Sequence, residues 1–398
     1  MARTKSKLHM GRVAVVVAGI VLCGLIVGAC APAFYQWPSL QQLSNQEEIN
    51  LFNRRVAIEV DNSAAPGGHP SENLVDVPVA VFLDATKIAS GPLAAEPAVR
   101  FYDKDLNLLA HEVEQWDPDG DSLVWVKVPS LPKDGSTTIY LYYDYRGDEL
   151  TPSPADVFSN NYAGVWHLAE TSPGFYKDSS GNGNHGSLSD GTASFQAPSS
   201  TTGKLGRAAN FTADNMGIAI PALSANDITE ITISMWVAVR DWTSTGRFIF
   251  RPNFDVYMTD QDERMQIEFG ASATNIVITA TEMVKSNLGD PPWGFYTFLW
   301  NGTLPPFGPY HTWGPYTNGV PFAGGSVLLN GGSGTVKGDA GLPSVIGNVN
   351  WTATPQRAPD AIIDEVRIST VVRSAHWNYI QYKSMSDTLL TFGAEEEL

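Results

Sequence analysis

The feature that most constrains this chain is a change of rhythm near residue 54. From there apolar and polar residues alternate with period two: Val56, Ile58 and Val60 share one face of an extended segment, while Arg55, Ala57 and Glu59 share the other. Similar runs recur at residues 77–83, 99–102, 111–116, 123–128 and 137–143. Turn-forming clusters separate them, including Pro66-Gly67-Gly68, Asp117-Pro118-Asp119-Gly120-Asp121 and Pro132-Lys133-Asp134-Gly135. Short strands joined by tight turns satisfy such a pattern and predict a small β-sandwich over residues 51–150. Composition points the same way for the whole chain: aromatics reach 11%, with 36 Gly and 26 Pro, and charged residues only 17%, which favours an all-β protein.

Both cysteines, Cys23 and Cys30, precede this region, so no intrachain disulfide can staple the β part and packing alone must hold it. At 398 residues the chain is long enough for two domains, each with a core of its own.

The leader, residues 1–30, carries Arg3, Lys5, Lys7 and Arg12, then an apolar run over residues 13–29, and ends in Val27-Gly28-Ala29-Cys30. That is the layout of an export signal. Small residues before a cysteine resemble the lipobox of bacterial lipoproteins, which implies Cys30 as the lipidated first residue of the mature chain. The alternative is an uncleaved signal anchor, since residues 13–33 are free of formal charge and long enough to span a bilayer, with Tyr35 and Trp37 at the interface. Either tether predicts an exported, membrane-anchored protein facing the periplasm or cell surface. Residues 31–50 read as a polar tether with a helical turn near residues 41–50. With 42 acidic residues against 25 basic and a net charge of −17, nucleic acid is excluded as a partner.

Five blocks in the first domain, Asn53-Arg54-Arg55-Val56, Arg100-Phe101-Tyr102-Asp103, His111-Glu112-Val113-Glu114-Gln115-Trp116, Val124-Trp125-Val126-Lys127-Val128-Pro129 and Ile139-Tyr140-Leu141-Tyr142-Tyr143, resemble an uncharacterised bacterial domain. That domain commonly precedes a laminin-G-like domain in exported proteins. After Thr151-Pro152-Ser153-Pro154, residues 156–394 resemble the laminin-G-like, concanavalin A-like jelly rolls. The carrying blocks are Gly164-Val165-Trp166-His167-Leu168-Ala169-Glu170, Asp178-Ser179-Ser180-Gly181-Asn182-Gly183-Asn184-His185-Gly186, Gly203-Lys204-Leu205-Gly206-Arg207, Ile231-Thr232-Ile233-Ser234-Met235-Trp236-Val237, Tyr316-Thr317-Asn318-Gly319 and Ile363-Asp364-Glu365-Val366-Arg367-Ile368-Ser369. The fold implied is two packed antiparallel sheets.

Two sites are expected. Strand alternation over residues 362–368 places Ile362, Asp364, Val366 and Ile368 on one face, so Asp364 would be buried among aliphatics and need a partner. The glycine- and asparagine-rich loop at 178–186 can supply one. The resemblance implies a structural calcium on Asp178, Asn184 and Asp364; the alternative is a metal-free clasp in which Asp364 accepts N–H bonds from that loop. The turn at Asp117, Asp119 and Asp121 lacks a closing Glu and reads as a solvated hairpin.

The second site is an aromatic stretch, residues 301–325, without Asp, Glu, Lys or Arg. Phe307, Tyr310, His311, Trp313, Tyr316 and Asn318 could stack on sugar rings and bond their hydroxyls, although Trp313 and Tyr316 also fit a core strand. His167, between Val165 and Ala169 on a strand, reads as a satisfied core histidine. No glycosidase carboxylate motif, Gly-x-Ser-x-Gly elbow or His-Glu-x-x-His occurs, and no cysteine nucleophile follows the leader. The function expected is therefore a non-catalytic binding module for a glycan or an envelope protein. A structural component of the envelope is the alternative, and a glycoside hydrolase the more remote one.

Overall fold

Period-two alternation becomes strands wherever one face can be covered, and the chain covers its strands by stacking sheets in pairs. In the computed structural model of the protein, the described residues are 40–64, 70–88, 98–117, 120–147, 156–191, 193–223, 229–241, 245–251, 254–259, 264–270, 275–279, 293–301, 316–321, 343–349 and 357–398. A helix, α1 (Leu40–Ile49), precedes the first strand; one compact unit ends at Glu47, and the residues from Glu48 onward form the unit described below. Among the described residues no helix is long and apolar enough to cross a membrane.

The first sandwich contains β1 (Phe52–Asp61), β2 (Leu74–Leu83), β3 (Arg100–Asp103), β4 (His111–Gln115), β5 (Ser122–Leu131) and β6 (Ser136–Tyr145). Val56, Ile58 and Val60 of β1 are buried, as the alternation requires, against Val77, Val79 and Val81 of β2 and Val124, Val126 and Val128 of β5. The strands β2, β5 and β4 form one sheet. The facing sheet runs β21–β1–β6–β3, where β21 is the last strand of the chain (Leu390–Glu397). Residues 375–394, read from the sequence as part of the second domain, thus pack with the first.

The second sandwich joins an eight-stranded sheet to a six-stranded one. Its strands are β7 (Tyr162–Trp166), β8 (Ser199–Thr202), β9 (Arg207–Phe211), β10 (Ile218–Ile220), β11 (Glu230–Val239), β12 (Arg247–Arg251), β13 (Phe254–Thr259), β14 (Arg264–Gly270), β15 (Asn275–Thr279), β16 (Trp293–Asn301), β17 (Tyr316–Thr317), β18 (Val320–Pro321), β19 (Ser344–Ile346) and β20 (Ala361–Ser369). The larger sheet runs β18–β17–β16–β11–β20–β9–β8 with β7 pairing β20; the other runs β10–β19–β12–β13–β14–β15. All pairings within the sheets of both sandwiches are antiparallel. Inward side chains from both sheets, among them Trp166, Ile233, Met235, Phe248, Phe298, Trp300 and Ile363, make one core.

The opposite face of the larger sheet carries buried apolar residues too. Val165, Trp236 and Phe295 belong to the same buried cluster as the first sandwich's β1, β2 and β5. Between them lies the helix α2 (Ala375–Met385), whose Trp377, Ile380 and Met385 are buried. Ser374 caps it, its hydroxyl accepting the Trp377 N–H. Strand β2 is an edge, and α2 covers it: the Ala80 N–H donates to Ser384 Oγ at 2.8 Å and Gln381 Nε2 donates to the Pro78 carbonyl at 3.0 Å. The two sandwiches therefore share a core and wedge one helix between them.

Candidate functional site

Two β-bulges, one on each sandwich, face each other where the domains meet. In β20, Ser234 opposes Arg367 but Trp236 opposes Asp364, so β20 carries one residue more than β11 over that stretch. Glu365 takes φ 53° to absorb the extra residue. The bulge overturns the alternation expected there. Ile363, Val366 and Ile368 point into the second core, while Asp364, Glu365 and Arg367 all turn to the first sandwich, so Asp364 does not share the face of Val366 and Ile368. In β4 the register slips between Val113 and Gln115, which directs both Glu114 and Gln115 toward the loop at Gly206.

The result is a buried chain of charges. Arg367 donates through Nη2 to Glu365 Oε2 at 2.5 Å and through Nη1 to Gln381 Oε1 at 2.8 Å. Glu365 Oε1 meets His167 Nδ1 at 2.6 Å, and Glu114 Oε2 lies 3.4 Å from the same nitrogen. Trp125 Nε1 donates to Glu114 Oε2 at 2.6 Å. The Trp125 ring lies near-parallel to His167 and beneath the Arg367 guanidinium, 4.4 Å from its centroid.

Burial opposes a charged imidazolium, but Glu365 and Glu114 outweigh it and raise His167 to about 10. Burial raises Glu114 to about 8. Burial would raise Glu365 as well, yet His167 and Arg367 hold it down to about 2. Burial, reinforced by Glu365 and Glu114, pushes Asp364 well above the ordinary carboxylate range. The ligand atoms of Glu114, His167 and Glu365 lie within 4.8 Å of one another, a spacing that could hold a divalent ion. The Arg367 guanidinium on Glu365 supplies the countercharge here, so the group reads as an ion network spanning both sandwiches.

The network gives a pH signature. His167 and Glu114 bind their protons more tightly folded than unfolded, so their stabilisation is complete below the ordinary 6.5 and 4.5 and is lost as pH rises through about 10 and about 8. Glu365 has the opposite sign: its contribution is complete above 4.5 and is lost as pH falls through about 2. The denaturation midpoint is expected to fall steadily between pH 6 and pH 10, and Glu114→Gln to flatten the part below pH 8. An unchanged midpoint across that window would contradict this network.

Above the network opens a cleft of about 480 Å³, walled by Glu112, Glu114 and Val113 of β4 and by residues of the 167–177 loop. Leu168, at φ 62°, turns the chain out of β7 so that His167 faces the cleft while Leu168 enters the second core. Across the mouth, Lys177 Nζ and Ser179 Oγ both donate to Glu112 Oε1. Glu170 Oε1 accepts the Lys177 N–H at 2.7 Å. Phe175 stands 55% exposed beside them, an unusual position for so large an apolar ring. Three buried polar atoms of the lining have no hydrogen-bond partner among the described residues: Glu114 Oε1, His167 Nε2 and Glu170 Oε2.

The residues expected from the sequence are distributed differently. Asp178 Oδ1 accepts the N–H groups of Val165 and Ser180, and Oδ2 that of Asn184, at 2.9–3.0 Å. Asn184 Nδ2 donates to the Ala163 carbonyl. Asp364 is bonded by another loop, its Oδ2 accepting the N–H groups of Lys204 and Leu205 at 2.8 and 3.0 Å. Gly203 permits that approach, since a Cβ there would come within 2.6 Å of Asp364 Oδ2. Tyr316 is buried, and Asn318, at φ 52°, accepts the Phe295 N–H with its Oδ1 and donates its own N–H to the Phe295 carbonyl, closing a turn. Phe307, Tyr310, His311 and Trp313, like Cys30, lie outside the described residues. Glu112, Glu114, Glu170, Phe175, Glu365 and Arg367 carried no role in the sequence reading. The available signal was Asp364-Glu365 and Arg367 on a strand otherwise aliphatic, which demands buried partners.

Residues 97–162, which include β3–β6, match the model of a domain of unknown function, DUF2341. No curated protein matches the chain. Among solved structures, the binding domain of Paraclostridial Mosquitocidal Protein 1 aligns with a TM-score of 0.41 at 11% identity, over 56% of this chain and 52% of that one. The botulinum neurotoxin serotype G binding domain gives 0.39 at 15% identity, over 56% and 50%. Trypanosoma rangeli sialidase in complex with sialic acid gives 0.35 at 10% identity, over 71% and 45%. The chain spans about half the length of these proteins. A likeness at this level assigns no residue a role.

Proposed function

We propose that the chain is a non-catalytic carbohydrate-binding module whose ligand sits in the cleft between the sandwiches. The observation that carries this is the lining: orphaned acceptors on Glu114 and Glu170 and an orphaned ring nitrogen on His167, next to the exposed ring of Phe175. A hydroxyl both donates and accepts, so a polyol satisfies such a mixed set where a purely anionic or purely apolar ligand leaves atoms unpaired. An aromatic platform beside polar anchors is the balance a sugar ring needs, and the cleft lies in the size range of small-molecule sites. Glu365 is bonded on both oxygens to internal partners, which commits it to the network rather than to a substrate. On this reading the second sandwich is of the laminin-G-like, concanavalin A-like kind, and the leader tethers the module outside the inner membrane.

Oligosaccharide binding measured by calorimetry tests the proposal. Phe175→Ala is expected to weaken it by about thirtyfold, or ~2 kcal/mol, with the melting temperature unchanged because the ring is exposed. Full affinity in that variant would place the ligand elsewhere.

A further inference from the structure

The carboxylates around the cleft are not equivalent. Glu112 is paired with Lys177, and Glu365 with His167 and Arg367. Glu114 lies 3.4 Å from His167 and accepts from Trp125, its side chain only 2% exposed. Both cations that line the cleft, His167 and Lys177, are therefore committed to acids already. Glu170 differs: one oxygen accepts a backbone N–H, the other is buried without a partner, and no cationic side chain among the described residues pairs with it. It lies five positions before Phe175 on the same loop and lines the same cavity.

We propose, resting on the carbohydrate reading above, that the cleft selects a saccharide bearing a free amino group, with the ring on Phe175 and the ammonium at the carboxylate of Glu170. The charge inventory favours this class. An ammonium supplies the one cation the lining lacks and donates several hydrogen bonds at once, to Glu170 Oε2 first. An N-acetylated sugar offers a neutral amide there, and an acidic sugar brings like charge to a cleft walled by Glu112 and Glu170 on a protein of net charge −17. Glu170 is then a specificity determinant and Phe175 an affinity determinant of the same site.

The test is calorimetric titration of the full chain with a glucosamine tetramer, an N-acetylglucosamine tetramer and a neutral glucose tetramer, at a pH where the amine is protonated. The glucosamine tetramer is expected to bind at least about tenfold more tightly than either neutral oligomer, with the margin shrinking as salt is raised. Glu170→Gln is expected to erase that margin, the glucosamine tetramer falling to the affinity that the neutral oligomers show in the same variant. Equal affinities in the wild type, or a margin that survives Glu170→Gln, would overturn the assignment while neutral binding through Phe175 still stood. If no oligomer binds, the carbohydrate reading fails and this one with it.

Discussion

Arg367→Met is expected to lower the unfolding free energy by about 3–5 kcal/mol, measured by denaturant titration, which for a domain of ordinary stability is a large fraction of the total. The reason is what stays behind. Arg367 is 2% exposed and bonds both Glu365 and Gln381, and its guanidinium lies over the rings of Trp125 and Phe158. Met preserves much of the apolar stem but removes a countercharge, so Glu365, held down to about 2 in the intact network, loses one of the two cations, His167 and Arg367, that keep it ionised. A single deletion in a buried pair costs more than the pair is worth, because the partner remains desolvated. Arg367→Met combined with Glu365→Leu is therefore expected to recover part of the loss. A double variant no more stable than Arg367→Met would show that the two side chains matter as packing rather than as charge.

The same network explains what the sequence does and does not disclose. Alternation at Val56, Ile58 and Val60 is legible because one face of β1 is covered and the other is not, and the all-β class follows from that pattern repeated. The bulge at Glu365 is not legible. Period-two reasoning assumes one residue per step, and a single inserted residue moves Asp364 to the face of Glu365 and Arg367. His167 illustrates the second limit. Its strand neighbours Val165 and Ala169 identify a buried setting, but its partners come from β4 and β20, far away in sequence, and only the docking of the two sandwiches makes them a cluster. Phe175 is hidden for another reason: the pair Phe175-Tyr176 after Ser172-Pro173-Gly174 gives no periodic signal, and the exposure of Phe175 is a property of the folded surface. The aromatic stretch at 301–325 stands out by composition alone, and the two of its candidate ligand residues that are described, Tyr316 and Asn318, serve packing and a turn.

Ending the chain at Ser374 is expected to abolish cooperative folding of the first sandwich, even though residues 51–150 contain six of its strands. Strand β1 would lose β21, which pairs it from Arg54 to Val60 and brings Glu395 and Glu396 to Arg54 and Arg55. Edge strand β2 would lose the hydroxyl of Ser384 and the amide of Gln381, leaving its outer backbone groups open. Trp377, Ile380, Met385 and Leu389 would leave the shared core together, exposing Val77, Val79, Val165, Trp236 and Phe295. Truncating one such side chain costs about 2–5 kcal/mol, so removing four exceeds the roughly 5–15 kcal/mol by which a domain is stable. The truncated chain should show a broad, non-coincident thermal transition and bind a hydrophobic dye, and the fragment 51–150 should lack dispersed amide resonances. A sharp transition in the truncated chain would mean that the first sandwich closes its own core, with the helix and last strand merely laid against it; coupling between the domains through the Glu114–His167–Glu365 network would then have to survive without the wedge that now holds both sides in register.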